Sequence, residues 1–115
     1  MTLSIVGSRT FTNYDLLEHE VDLFVEGKEI KRIISGGAQG ADKLAEEYAR
    51  RRKLEIAIIK PDWNKFGRAA GIIRNEDIIN GSNYVIAFWD GKSKGTQNSI
   101  QRAEKQNKIL KIISF

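Results

Sequence analysis

The chain has 115 residues, with 19 lysines and arginines against 15 acidic residues, a formal net charge of +4, one histidine and no cysteine. That length fits one domain built on a single core. The absence of cysteine excludes disulfides, thiol catalysis and thiolate metal sites, and a lone His19 offers no imidazole pair for a metal. The cationic excess favours anionic partners, whether nucleotides, nucleic acid or acidic proteins.

Residues 3–6 form an apolar run that stops at Gly7, predicting a buried strand whose end carries Gly7-Ser8-Arg9. From Asn13, a candidate cap, Leu17, Val21 and Phe24 recur at helical spacing up to Gly27, a natural C-terminal stop. His19 lies in that helix among Glu18, Glu20 and Asp22 and reads as part of a solvated face. A second strand over 30–34 leads into the octapeptide SGGAQGAD at 35–42. A helix over 41–53 follows, with Leu44, Ala45, Tyr48 and Ala49 as apolar positions, and Arg50, Arg51 and Arg52 at its end suit the negative pole of the helix dipole.

A third strand over 56–59 ends at Lys60-Pro61. The next segment, PDWNKFGRAAGIIRN at 61–75, holds the only proline, a tryptophan and two arginines, and is too irregular to be only a connector. A helix over about 69–79 is expected to bury Ile72, Ile73 and Ile79, followed by a strand over 84–89 that contains Trp89, a helix over 96–106 and a strand over 109–115. Short apolar strands alternating with helices predict an α/β fold: a three-layer Rossmann-like sandwich around a five-stranded parallel sheet, as one domain over 1–115, and analogy with Rossmann-like folds suggests the order 3-2-1-4-5. The N-terminus does not read as a signal peptide and no apolar run approaches the roughly 20 residues of a bilayer span, so the expectation is a soluble, cytoplasmic protein with no membrane partner.

The octapeptide is the centre of the functional reading. Glycines in a strand-to-helix turn let backbone N–H groups approach a bound group, and the helix behind aims its N-terminal dipole at the same point. A plain tight turn with Asp42 as an N-cap is the competing explanation. Two further strand-to-turn transitions, Gly7-Ser8-Arg9 and GKSKGT at 91–96, repeat the pattern, and in a parallel sheet all three turns share one edge. None has the spacing of a Walker A loop, and the first turn lacks the dinucleotide fingerprint, so a P-loop NTPase and an ordinary NAD-dependent dehydrogenase are disfavoured and no cofactor is expected.

IVGSRTF, SGGAQGAD with LAEEYA, the DW-x-K-x-GR-x-AG segment with RN, and VIAFWDGKSKGT resemble the YspA-like family of the SLOG superfamily. Relatives in that superfamily include the LOG phosphoribohydrolases and the DNA-processing protein DprA. The resemblance implies a nucleotide-related ligand at the C-terminal ends of the strands and, by analogy, a homodimer. Gly95 and Thr96 match the LOG phosphate-binding Gly-Thr, and Arg74 falls where LOG enzymes carry a catalytic arginine. The LOG glutamate three residues after the threonine is Ser99 here, and Gly91-Lys92-Ser93 stands where LOG enzymes show Pro-Gly-Gly. Cleavage of an N-glycosidic bond would then need a substitute carboxylate, Asp90 or Glu76.

The expected ligand or phosphate contacts are Gly7, Ser8, Arg9, Gly36, Gly37, Gly40, Lys92, Ser93, Gly95 and Thr96, with Lys94 beside them. Arg74 and Asp90 are the candidate catalytic pair. Trp63 would stack on a base or anchor its loop, the anchor being preferred. Asp42 would hold a ribose hydroxyl or cap its helix, the cap being preferred, and Arg68 is a further candidate contact. The leading expectation is a module that binds a nucleotide-like small molecule. The alternatives are a nucleoside 5′-monophosphate phosphoribohydrolase and a DprA-like binder of single-stranded DNA.

Overall fold

The computed structural model describes all residues from Met1 to Phe115. The elements are β1 (Thr2–Gly7), α1 (Tyr14–Val25), β2 (Arg32–Ser35), α2 (Ala41–Arg51), β3 (Glu55–Ile58), α3 (Trp63–Phe66), a 3-10 turn (Gly67–Ala69), α4 (Ala70–Asn80), β4 (Tyr84–Trp89), α5 (Lys94–Lys105) and β5 (Ile109–Ser114). All strand pairs are parallel, as the alternation of strand and helix predicts, and the order is β3-β2-β1-β4-β5, the one expected by analogy with Rossmann-like folds. No helix is long and apolar enough to cross a membrane.

Side-chain alternation along the strands sorts the interior into two cores. On one face Leu3, Ile5, Ile33, Ile86 and Phe88 pack against Leu17 and Val21 of α1 and Ala45, Tyr48 and Ala49 of α2. On the other, Val6, Ile34, Val85 and Ala87 pack against Ile78 and Ile79 of α4 and Ile100 and Ala103 of α5. The central strands β1 and β4 are buried on both faces, which is why their sequences are nearly continuous apolar runs. Each fully buried leucine or isoleucine stabilises the fold by about 1.5–3 kcal/mol relative to exposure.

Three local expectations need correction. Asn13 caps α1 through its side chain, which accepts from Leu16 N, but Asp42 does not cap α2: the cap is Gly40, and Asp42 sits inside the first turn. Ile72 lies on the same helical stripe as Ile79 yet is 51% exposed, although Ala70 in the same turn of α4 is buried; Ile73 is half-buried, and Ile78 fills the core instead. Trp63, expected as a loop anchor, is 57% exposed. The edge strand β3 is also less covered than a fully enclosed sheet would have it, with Ile56 and Ile58 half out of the core.

The arginine run is structural. Arg50 and Arg51 both bind Glu47 one turn back, and Arg52 reaches α1, pairing with Asp22 at 2.6 Å and Glu18 at 3.3 Å.

Candidate functional site

Parallel strands put all their C-terminal ends on one rim, so the turns after β1, β2, β3 and β4 meet there. The first two turns are locked together. Ser8 N donates to Phe88 O at 2.9 Å, and Ala41 N donates to Ser8 O at 3.4 Å. Gly40, at φ +76°, lets the second turn lie against the first: a Cβ there would stand 2.5 Å from the carbonyl oxygens of Ser8 and Arg9. No other residue fits that conformation and that gap together.

Behind this interlock the glycine loop faces inward on the chain's own carboxylate. Asp42 Oδ2 accepts the Ala38 N–H at 3.1 Å, so at least one loop amide expected to meet a ligand is already engaged. Burial pushes the Asp42 carboxyl up to about 6, against the opposing pull of the Ala38 amide and the Arg74 guanidinium. Arg74 comes in from α4, donating from Nη1 to Gly36 O at 2.9 Å and from Nε to Asn75 Oδ1 at 3.0 Å. A side chain on Gly36 would begin 2.7 Å from Arg74 Nη1 and 2.8 Å from Asp42 Oδ2, so the glycine leaves room for both the guanidinium and the carboxylate. Burial pulls Arg74 below the usual arginine value, Asp42 opposes that shift and Arg9 adds to it.

The turn after β4 is organised by Asp90. Its Oδ1 accepts the N–H groups of Lys92 and Ser93, both at 2.8 Å, and these hydrogen bonds, Ser93's first, hold the carboxyl below its ordinary value. Asp90 N donates to the buried Ser8 Oγ at 3.2 Å, tying this turn to the first. Ser93 caps α5, accepting from Thr96 N at 3.4 Å, with Thr96 Oγ1 3.1 Å from its hydroxyl. The Lys94 and Gly95 amides in the first turn of α5 have no intrahelical acceptor. Nothing lies within 4 Å of where a side chain on Gly95 would begin, so the helix start faces open space.

The result is one cleft with two lobes that share Arg9, Ala38, Arg74, Asn75 and Gly95. The smaller lobe, about 370 Å³, is lined by hydroxyls and carboxylates: Ser8, Thr10, Ser93, Thr96 and Ser99 with Asp42 and Asp90. The larger, about 650 Å³, holds the cations Arg9, Lys60, Arg68, Arg74 and Lys94, the apolar Pro61, Trp63 and Ile72, and no carboxylate. Gly7 opens into the smaller lobe, and Gly36 and Gly37 into the larger. Gly40 and Lys92 line neither: Gly40 packs into the loop interlock, and Lys92 contributes its backbone N–H to Asp90.

Asn75 is the main residue that spacing did not single out. It is buried, accepts from Arg74, and donates from Nδ2 to Gly95 O and Asn98 Oδ1, each at 3.3 Å, fixing the arginine relative to α5. A buried amide on the core-facing side of an otherwise apolar stretch, directly after a candidate arginine, is the signal that could have found it.

A family model for the YspA, cpYpsA-related SLOG family matches residues 1–66. The chain is 31% identical over 121 residues to the Gene 61 protein of Mycobacterium phage D29, covering 96% of this chain and 93% of that protein. Its fold is similar to DNA processing protein A from Helicobacter pylori, whose structure was described for its single-stranded DNA binding mode: TM-score 0.74, 22% identity, 97% of this chain. It is also similar to DprA from Streptococcus pneumoniae, with TM-score 0.76, 17% identity and 96% of this chain. The chain spans 64% and 49% of those two proteins, and at such identities the likeness speaks for the fold alone.

Proposed function

The chain belongs to the YspA, cpYpsA-related SLOG family, and from that premise we propose that it is a binding module for a nucleotide or nucleotide-derived phosphorylated small molecule. The observation that carries the reading is the waist of the cleft. There Arg9 and Arg74 stand beside the open first turn of α5 at Gly95, so two guanidinium groups and a helix N-terminus face the same space. Phosphate belongs at that waist, with a ribose among the hydroxyls and carboxylates of the smaller lobe. A thermal-shift screen with AMP, GMP, ADP-ribose and NAD tests this: ligand at 100 times its dissociation constant adds about 2.7 kcal/mol to the native state. No shift with any of them at millimolar ligand would end the proposal.

Single-stranded DNA is the second reading, favoured by one feature: the exposed Trp63 beside Lys60 and Arg68 in a lobe without carboxylates. Aromatic and cationic side chains together hold bases and phosphates, and such binding weakens steeply with salt. Titration of a labelled oligonucleotide at low and high salt decides it, and an affinity unchanged between the two removes DNA.

N-glycosidic hydrolysis is the weakest of the three. Ser99 stands, buried, at the LOG glutamate position, and Asp90 Oδ1 is held by two backbone amides, leaving only Oδ2 for a sugar. Free base released from AMP by the protein, and lost in Asp90→Ala, would restore this reading.

A further inference from the structure

Small-molecule sites run from roughly 300 to 1,000 Å³. The lobe of about 370 Å³ stands near the lower limit alone, whereas with its neighbour of about 650 Å³ the cleft reaches the upper one. The two lobes also differ in chemistry. One offers hydroxyls and carboxylates, groups that exchange hydrogen bonds with a sugar. The other offers cations, no carboxylate, and an indole with 57% of its surface free. A mononucleotide with its phosphate at the Arg9–Arg74 waist occupies one lobe and leaves the other to water.

We propose that the ligand is a dinucleotide, two nucleosides joined through phosphate, lying across both lobes with its bridge at the waist and one base against Trp63. This rests on the nucleotide-binding reading above and adds the size and division of the ligand. Three features support the placement. The waist residues line both lobes, so a bridging phosphate meets Arg9 and Arg74 whichever lobe its nucleosides enter. The tip of the Trp63 ring lies 3.7 Å from where a side chain on Gly71 would begin, so the indole rests beside α4 on the wall of the larger lobe. Ile72, 51% exposed and out of the core, lines the same lobe and gives a base a second apolar surface.

The bridge can be a pyrophosphate or a phosphodiester, so the test uses both. Calorimetry at one ionic strength compares AMP with NAD, which is pyrophosphate-bridged, and with ApA, which is phosphodiester-bridged. At least one of the two should bind more tightly than AMP by roughly five- to 150-fold, the range that stacking of one base supplies. Trp63→Ala should bring that ratio close to one and Trp63→Phe should keep most of it, with both variants checked for an unchanged unfolding midpoint. AMP binding as tightly as both dinucleotides overturns the inference and leaves the proposed function standing. A preference that survives Trp63→Ala overturns the placement of the base. Failure of all three ligands to bind removes the proposed function and the inference together.

Discussion

Two arginine–carboxylate pairs in this molecule behave in opposite ways. Between α1 and α2, Arg52 binds Asp22 at 2.6 Å, and Tyr48 Oη donates to the same carboxylate at 2.6 Å. Partial burial raises Asp22, but the hydrogen bonds from Arg52 and Tyr48 outweigh it and the carboxyl ends below its ordinary value, while Arg52 is raised by its bond to Asp22. Each partner makes the other more firmly charged. In the cleft, burial moves Asp42 up to about 6 and Arg74 down, so each is driven toward its neutral form. The first two groups form an ion pair at 2.6 Å; the second two form none, Asp42 accepting from Ala38 N and Arg74 donating to Gly36 O and Asn75 Oδ1.

The sharpest way to break this contrast is Arg74→Ala. It deletes the bond to Gly36 O, opens the waist of the cleft and leaves Asp42 without its nearest cation. Loss of a buried charged hydrogen-bond donor costs binding about 2–5 kcal/mol, so nucleotide affinity should fall by roughly 30-fold or more in calorimetry. Retained affinity would place the ligand elsewhere.

The carboxylate side is tested by stability against pH. The Asp42 carboxyl is raised from 3.8 to about 6 in the folded state, so its proton is held more tightly there than in the unfolded chain. The stability this contributes is fully present below about pH 4 and is lost as pH rises through about 6. Asp42→Asn stays uncharged and can still accept from Ala38 N, so denaturant unfolding should show it more stable than the parent at pH 7.5, by at most about 3 kcal/mol, and equal near pH 4. A constant difference at both pH values would assign the effect to packing rather than to charge.

The satisfied pair should respond least. Arg52→Ala removes an exposed ion pair, expected to cost about 0.2–1 kcal/mol in the same unfolding experiment, less in high salt, with nucleotide binding unmoved. A larger loss would mean that the α1–α2 network does more than hold two helices together.

The sequence made the architecture legible because apolar runs and helical stripes report burial directly. β4 falls at its expected residues, and the parallel sheet follows from the alternation of elements, whereas the strand order came by analogy with Rossmann-like folds. What it hid was where an element ends relative to the layer below. Ile72 carries the same stripe as Ile79, but periodicity along a helix says nothing of which of its residues a neighbouring element covers. Trp63 misled similarly, since the size of a side chain does not reveal whether a neighbour covers it. At the candidate site, the glycine turns lie together on one rim, as expected. They did not reveal that Asp42 folds back onto the Ala38 amide, a contact between residues four apart that depends on the path of the loop. Gly40 followed the same motif for a different reason, since its neighbours are carbonyl oxygens and not solvent.

That contact at Gly40 also bears on how the mouth of the cleft behaves before anything enters it. Two backbone segments touch with no room for a single methyl between them, and the backbone N–H of Asp90 in the third turn, donating to the Ser8 hydroxyl of the first, holds the opposite border. Turns splinted to one another in this way cannot drift apart singly. For the ligand proposed above, that means an entrance already set in shape, little ordering of the rim on capture, and selectivity resting on the side chains that project from it.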